Sequence, residues 1–310
     1  MTQGEARLLL GAPIAAEIRA SVKDDVDAFI AAYGFAPSLG IVLVGRDAPS
    51  AVYLRQILRA CESAGIGGRL VEVEDEDADR DVEDSHDLET RAIRAIRALN
   101  DDPSVAGIIV QQPLPSSVRL RAVIDAIDPA KDIDGIHPLN AGLLRLGYDG
   151  FLPATAHAAI EMLHRYDIPI AGREAVVIGR SNVVGMPVAF MLVRGDATVT
   201  VCHSKTRDLA THVGRAEIVV VAAGHPGLIT GEMLRPGAVV VDVGINVVGD
   251  AIVGDVDQPS ARLVAGAITP VPGGVGPVTN AILLTHLVRA AVRQADARAV
   301  TDPPSVGVRS

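Results

Sequence analysis

The sequence predicts a two-domain α/β protein, and three observations predict it. Apolar strand-like runs alternate with helical patterns, the alternation restarts after Pro153, and one strand opens directly onto a glycine turn at Gly179. At 310 residues the chain has room for two domains of roughly 100–200 residues each. Hydrophobic residues make up 49% but aromatics only 3%, with no Trp, so the core must be aliphatic, as buried parallel strands favour.

In the first half, Ile14, Ile18, Val22, Val26 and Ile30 recur every fourth residue and line one helix face, which Gly34 ends. Leu39–Val44 is a short apolar run closed by Gly45 and reads as a buried strand. Ser50 is placed to cap a helix through Ala64, stopped at Gly65. A strand near Leu70–Val73, an acidic loop, a helix near Leu88–Leu99, a strand at Gly107–Val110 and a short helix at Arg119–Ile127 follow. After Pro153, a helix near His157–Tyr166 leads to strands at Ala175–Ile178, Ala197–Cys202, Ile218–Ala222 and Val239–Val243, a second unit of the Rossmann type. A last helix, Val278 to Gln294, is long enough to pack back on the first domain. The expected division is 1–148 plus 278–296 for the first domain, 149–277 for the second, and a disordered tail over 297–310.

Charge and cysteine usage exclude several classes. The net charge is −10, and eleven of the 38 acidic residues fall between Glu72 and Glu89, which reads as a solvated loop. Nucleic acid is not an expected partner, because neutralising phosphates needs clustered Lys and Arg. Cys61 and Cys202 form no CxxC pair and fit reduced thiols in the cytoplasm. The first twenty residues lack a basic segment followed by a long apolar one, so no signal peptide is expected. No run approaches about 18 uninterrupted apolar residues, so no membrane span is expected. The eight histidines show no HExxH or other ligand spacing, and no metal site is expected.

The run Ala175–Pro187 reads strand, glycine turn, helix. Gly179 permits the tight turn, Gly185 permits close helix packing, and the helix N-terminus favours a phosphate. Ser181 holds the middle glycine position of the usual G-x-G-x-x-G, so an ordinary strand-to-helix turn stays open as an alternative. The next strand bears on the cofactor. An NAD site usually ends that strand with Asp or Glu to hold the ribose 2′-hydroxyl. Here His203, Ser204 and Lys205 stand there, and Arg180 sits on the first turn. A missing carboxylate with donors and cations in its place suits a 2′-phosphate and favours NADP, although each cation alone reads equally as a solvated loop charge.

Six segments together resemble one family. VQQPLP at Val110–Pro115, KDIDGIHP at Lys131–Pro138, GRSNVVGMP from Gly179, VCHSKTRDL from Val201, VDVGIN at Val241–Asn246 and TPVPGGVGPVT at Thr269–Thr279 are similar, in this order, to the FolD family of tetrahydrofolate dehydrogenase/cyclohydrolases. The resemblance runs from about Ala12 to Ala290. It implies an N-terminal α/β folate-binding domain and a C-terminal Rossmann-type NADP-binding domain with a cleft between them. It implies NADP-dependent oxidation of methylenetetrahydrofolate in one-carbon metabolism, tetrahydrofolate derivatives as ligands, and a homodimer. Position by position, it implies that Tyr53 stacks on the folate ring system, that Gln111 orients the reacting end, and that Asp134 bonds the pterin edge. Val110, Pro272, Gly273 and Gly274 would complete the folate site. Gly179, Arg180, Ser181, Val184, Gly185, His203, Ser204 and Ile245 would hold the cofactor.

One departure matters. The family has Tyr, three residues, then Lys on this helix, and that lysine is linked to the hydrolytic step. Here the run is Y53-L-R-Q-I57, so Ile57 occupies the lysine position, on the same helix face as Tyr53. The chain has only three lysines, at positions 23, 131 and 205, and none lies on this helix. Hydride loss from the methylene carbon moves no proton, whereas hydration and ring opening of the methenyl product do. The dehydrogenase is therefore expected to survive and the cyclohydrolase to be lost or weakened; a bifunctional enzyme and an inactive paralogue stay open. A smaller departure is Pro153-Ala-Thr-Ala, where the family has Pro-Cys-Thr-Pro.

Overall fold

The computed structural model describes residues 5–45, 48–74, 85–249 and 251–301. The chain forms two compact units: Met1–Ile18 with Leu139–Ile282, and Arg19–Pro138 with Leu283–Ser310. Strand β1 (Arg7–Leu8) precedes helix α1 (Gly11–Tyr33). Along α1, Ile14, Ile18, Val22 and Val26 are buried as their spacing requires, and Phe29 rather than Ile30 continues the row.

The smaller unit is built on a parallel three-stranded sheet. Strand β2 (Ser38–Val44) lies in the middle, between β3 (Gly67–Val73) and β4 (Val105–Val110). Helices α2 (Ala48–Ser63) and α3 (Ser85–Asp101) make the crossovers, and α4 (Leu120–Ile124) follows β4. All six residues of β4 are buried, the pattern of a strand covered on both faces. Helix α2 begins two residues before Ser50, because Pro49 is well suited to a first turn, so Ser50 lies inside the helix rather than capping it. Most of the acidic stretch, 75–84, lies outside the described residues.

Lys131 ties this unit together. Its ammonium is buried and donates to the carbonyls of Leu99, Asn100 and Asp102 at 3.0, 2.6 and 2.8 Å, where α3 ends. Those carbonyls have no partner further along the helix, and a cation there also opposes the helix dipole. With Lys131 fixed, its own carbonyl accepts from Ile108 at 2.7 Å and Asp132 bridges Ile108 in parallel. The lysine of the KDIDG segment is thus structural.

The larger unit follows α5 (Pro138–Leu146) and α6 (Ala154–Arg165) with β5 (Glu174–Ile178), α7 (Gly185–Arg194), β6 (Thr198–Cys202), α8 (Leu209–Val213), β7 (Ile218–Val221) and β8 (Val239–Asp242). A hairpin of β9 (Asn246–Val248) and β10 (Ala251–Val253), then α9 (Gln258–Ala261), β11 (Ala267–Ile268) and α10 (Val275–Thr301) complete the chain. The parallel sheet has the order β1-β11-β8-β7-β5-β6. Strand order therefore reverses at β5, and ligands bind such sheets in the crevice outside the carboxyl ends at the reversal.

The expected boundaries need correction. By contact, residues 5–18, whose strand β1 pairs with β11, pack with the larger unit, as do residues 139–148 and 278–282. Residues 297–301 continue α10 instead of forming a disordered tail, since Ala297-Arg-Ala-Val contains no helix breaker; 302–310 lie outside the described residues. By length and composition alone α10 is apolar enough to cross a membrane, but 67% of its most apolar stretch is buried within the fold, as in a core helix.

Substituting Lys131→Met should lower stability by roughly 2–4 kcal/mol, because the carbonyls of Leu99 and Asn100 lose this donor and that of Asp102 keeps only the Val105 amide. The denaturation midpoint should fall at an unchanged slope; an unchanged midpoint would show that the ammonium contributes nothing there.

Candidate active site

A pocket of about 750 Å³ opens at the carboxyl ends of β5, β6 and β7, where the strand order reverses. Gly179, Arg180, Ser181, His203 and Ser204 line it, as the sequence predicts. Two glycines create the space. Gly179 has φ 118°, and a Cβ on it would collide with the carbonyl of Ala222 at the end of β7. A Cβ on Gly185 would collide with the carbonyl of Gly179. Turn, helix and neighbouring strand thus meet backbone to backbone, the packing that a dinucleotide fold requires.

Ser181 explains its departure from glycine. Its Oγ accepts from the backbone N–H groups of Val184 and Gly185 at 3.2 and 3.3 Å, tying the turn to the first residue of α7. On the other side of the pocket, the turn after β6 is self-bonded. The amide of His203 donates to Thr206 Oγ1 at 2.9 Å, and the amide of Lys205 donates to His203 Nδ1 at 3.1 Å. No carboxylate stands at this strand end; Arg180, Ser204 and Lys205 are exposed around it. The donor set fits a 2′-phosphate. Thr206, Leu209, Ala222, Ala223, His225, Pro226 and Leu228 also line the pocket and were not foreseen; the rule that ligands sit beyond strand ends would have pointed to 222–228. Val184, Gly185 and Ile245 are not among its lining residues, and Ile245 is 68% exposed. A smaller recess of about 230 Å³ lies at the opposite strand ends, where the Arg173–Glu217 ion pair forms part of its lining.

The loop that closes the pocket rests on two buried aspartates. Asp255 Oδ2 accepts from the amides of Ala223 and Gly224 at 2.6 and 2.8 Å, and its Oδ1 accepts from Asn246 Nδ2 at 2.8 Å. Asp242, at the end of β8, accepts from the amides of Gly244, Asp255 and Val256, each at 3.0 Å. Burial pushes the Asp242 carboxyl up to about 6, opposed by those amides.

Of the predicted folate residues of the smaller unit, Val110, Gln111 and Asp134 come together at the end of β4. Val110 and Gln111 are buried; the Gln111 amide donates to Val42 at 2.9 Å, and its Nε2 donates to the Gln112 carbonyl at 2.7 Å. The Gln112–Pro113 bond is cis. The parallel bridge between Ile108 and Asp132 carries Val110 and Asp134 forward in step, each two residues beyond it. Asp132 is fully buried and accepts from the amides of Ile136 and His137 at 3.2 and 2.8 Å, which shapes the turn presenting Asp134. Burial, and secondarily the charge of Asp132, push the Asp134 carboxyl from 3.8 up to about 7. Ile57 is 3% exposed on α2. Tyr53 lies on the same helix, with its side chain outside the described part of the structure. Nearby Cys61 is buried with its thiol pushed up to about 12, an unreactive thiol.

Pro272, Gly273 and Gly274 form a turn in the larger unit, with a cis bond before Pro272. The Gly273 carbonyl accepts from Gly11 at 2.8 Å, and a Cβ on Gly11 would collide with the carbonyl of Gly274. Among the described residues no three His, Cys, Asp or Glu side chains group as a metal site.

Fold and pocket together define a doubly wound dinucleotide-binding protein carrying a second, smaller α/β unit. The comparisons narrow this class. Residues 9–134 match the catalytic domain of tetrahydrofolate dehydrogenase/cyclohydrolase, and residues 153–295 match its NAD(P)-binding domain. The bifunctional protein FolD of Rhodopirellula baltica is 47% identical over 300 residues, covering 92% of this chain and 97% of its own. The crystal structure of bifunctional FolD from Campylobacter jejuni superposes with a TM-score of 0.86 at 38% identity, covering 93% of this chain and 99% of that one. The Trypanosoma brucei dehydrogenase-cyclohydrolase, complexed with NADP and an inhibitor, gives a TM-score of 0.85 at 36% identity and covers 94% and 99%. The chain belongs to the tetrahydrofolate dehydrogenase/cyclohydrolase family.

Two consequences are measurable. Gly185→Ala forces α7 away from the Gly179 turn and should weaken NADPH binding by about tenfold or more in a fluorescence titration, the scale of about 1.4 kcal/mol; unchanged binding would place the dinucleotide elsewhere. Asp134→Asn should raise the melting temperature while lowering turnover. A carboxyl whose folded value exceeds its unfolded one holds a proton in the fold between about pH 4 and 7, so its contribution to stability falls as pH rises through that window. The gain in the variant should therefore grow from pH 4 to 7 and level off above; a gain independent of pH would contradict it.

Proposed function

We propose that this chain oxidises methylenetetrahydrofolate to the methenyl form with NADP, and then opens the methenyl ring with water to give the formyl product. The observation that carries the first step is the glycine-built pocket at the sheet reversal, with Arg180, Ser204 and Lys205 in place of a ribose-binding carboxylate. The relatives' names carry the second step.

When bound, NADP supplies the hydride acceptor. The methylene C–H bond breaks with both electrons leaving on the hydrogen, and the two flanking nitrogens share the positive charge. No proton transfer is needed, so this chain's task is positioning. Tyr53, Gln111, Asp134 and the Pro272–Gly274 turn are proposed to hold the folate, in the roles that the family resemblance implies. Ring opening is different: water adds to the methenyl carbon, loses a proton, and a ring nitrogen gains one. Asp134, with its carboxyl near 7, is poised to exchange a proton at neutral pH and is proposed to serve where the family uses lysine.

The expectation that Ile57 leaves the hydrolytic step lost or weakened finds no support in relatives that share nearly half of this sequence and are named bifunctional. Dehydrogenase activity alone remains a second reading because one observation favours it: Ile57 is buried and offers no proton. A cytoplasmic homodimer completes the proposal; the exposed apolar residues Val247, Val248 and Ile252 on the β9–β10 hairpin suit a subunit contact.

Spectroscopy on the purified protein separates the readings. Methenyltetrahydrofolate supplied alone should decay faster than its buffer-catalysed rate, and Asp134→Asn should remove that acceleration. NADPH formation with methenyl product accumulating would establish the dehydrogenase-only reading. Neither reaction above background would overturn both.

A further inference from the structure

We propose that Asp255 is a positioning residue for the cofactor: its carboxylate clamps the 222–228 loop that forms one wall of the dinucleotide pocket, with Asp242 as the anchor behind it. The inference rests on the dehydrogenase reading and extends it to residues outside the pocket. Asp255 touches no lining atom by chance. Its Oδ2 takes two consecutive loop amides, Ala223 at 2.6 Å and Gly224 at 2.8 Å, and Ala223 itself lines the pocket. The backbone around it grips the same loop further on. Asp255 O accepts from Ile229 at 3.1 Å, Ile229 O accepts from Asp257 at 2.8 Å, and Ile229 bridges Val256 in parallel.

The clamp is itself held on two sides. Asn246 Nδ2 donates to the second carboxylate oxygen at 2.8 Å. Asp242 accepts from the amides of Asp255 and Val256, and its own amide donates to Thr269 Oγ1 at 2.8 Å, locking the segment to the sheet. Both carboxylates are buried, Asp255 fully and Asp242 to within 1%. Space for them is made by two glycines: a Cβ on Gly244 would meet the Asp255 carboxyl, and one on Gly254 would meet Asp242 Oδ2. Two carboxylates buried on neighbouring segments are costly to a fold. Here Asp255 accepts from two amides of the pocket-wall loop, and Asp242 accepts from the amides that hold Asp255 in place. Charge-assisted bonds of this kind hold a loop more firmly than neutral ones.

The test compares NADPH binding with folate kinetics in three variants of the full chain. Asp255→Ala should weaken NADPH binding by about tenfold, the scale of losing charge-assisted bonds, while the KM for methylenetetrahydrofolate stays within about twofold. Asp255→Asn keeps an acceptor for the two amides and should recover most of that affinity; a merely stabilising residue would lower the melting temperature and leave the NADPH constant alone. If Asp255→Ala does not fold, Asn246→Ala leaves the carboxylate in place but frees one side, and about threefold weaker NADPH binding is expected. NADPH constants unchanged in the folded variants, cofactor and folate constants moving together, or no rescue by Asn would overturn the proposal. Wild-type protein that does not bind NADPH would instead overturn the dehydrogenase reading, and this inference with it.

Discussion

Backbone-to-backbone contact at Gly179 and Gly185 is the constraint on which the rest of the larger unit depends. A strand, a turn and a helix can approach this closely only without Cβ atoms, and both positions would collide with a carbonyl if they had one. The contact places the N-terminus of α7 beside the ends of β6 and β7 and so leaves a pocket rather than a packed core at the strand reversal. Everything else there is adjustment around that space. Ser181 turns its hydroxyl onto the amides of Val184 and Gly185, the 203–206 turn bonds to itself, and Asp255 holds the 222–228 loop.

The smaller unit solves a different problem. Lys131 satisfies the end of α3 and fixes the segment that presents Asp134, so a buried cation supports a carboxyl that burial has made reluctant to ionise. A carboxyl near neutrality can give or take a proton where one near its ordinary value cannot. Ile57 is buried on α2 and offers no proton, which is why the proposed ring opening is assigned to Asp134.

Much of the fold was legible because its causes are local. The alternation of strands and helices, the four-residue row of α1 and the glycine turn after β5 each follow from residues adjacent in sequence. The cofactor side of the pocket was legible for the same reason, since Gly179, Ser181, His203 and Ser204 sit at strand ends that the sequence marks. What escaped notice is non-local. Asp255 acts on residues 31 and 32 positions away, and Lys131 on carbonyls about as distant, with nothing in their own neighbourhoods to signal it. β1 is two residues long and gains its identity only by pairing with β11, so no periodicity could reveal it.

Direct hydride transfer from the methylene carbon to the cofactor leaves an isotopic signature. The protein would be turned over with NADP and methylenetetrahydrofolate deuterated at the methylene carbon, and the reduced cofactor weighed by mass spectrometry. The account predicts one deuterium in each NADPH formed. NADPH without deuterium, or none at all from protein shown to be folded, would contradict it.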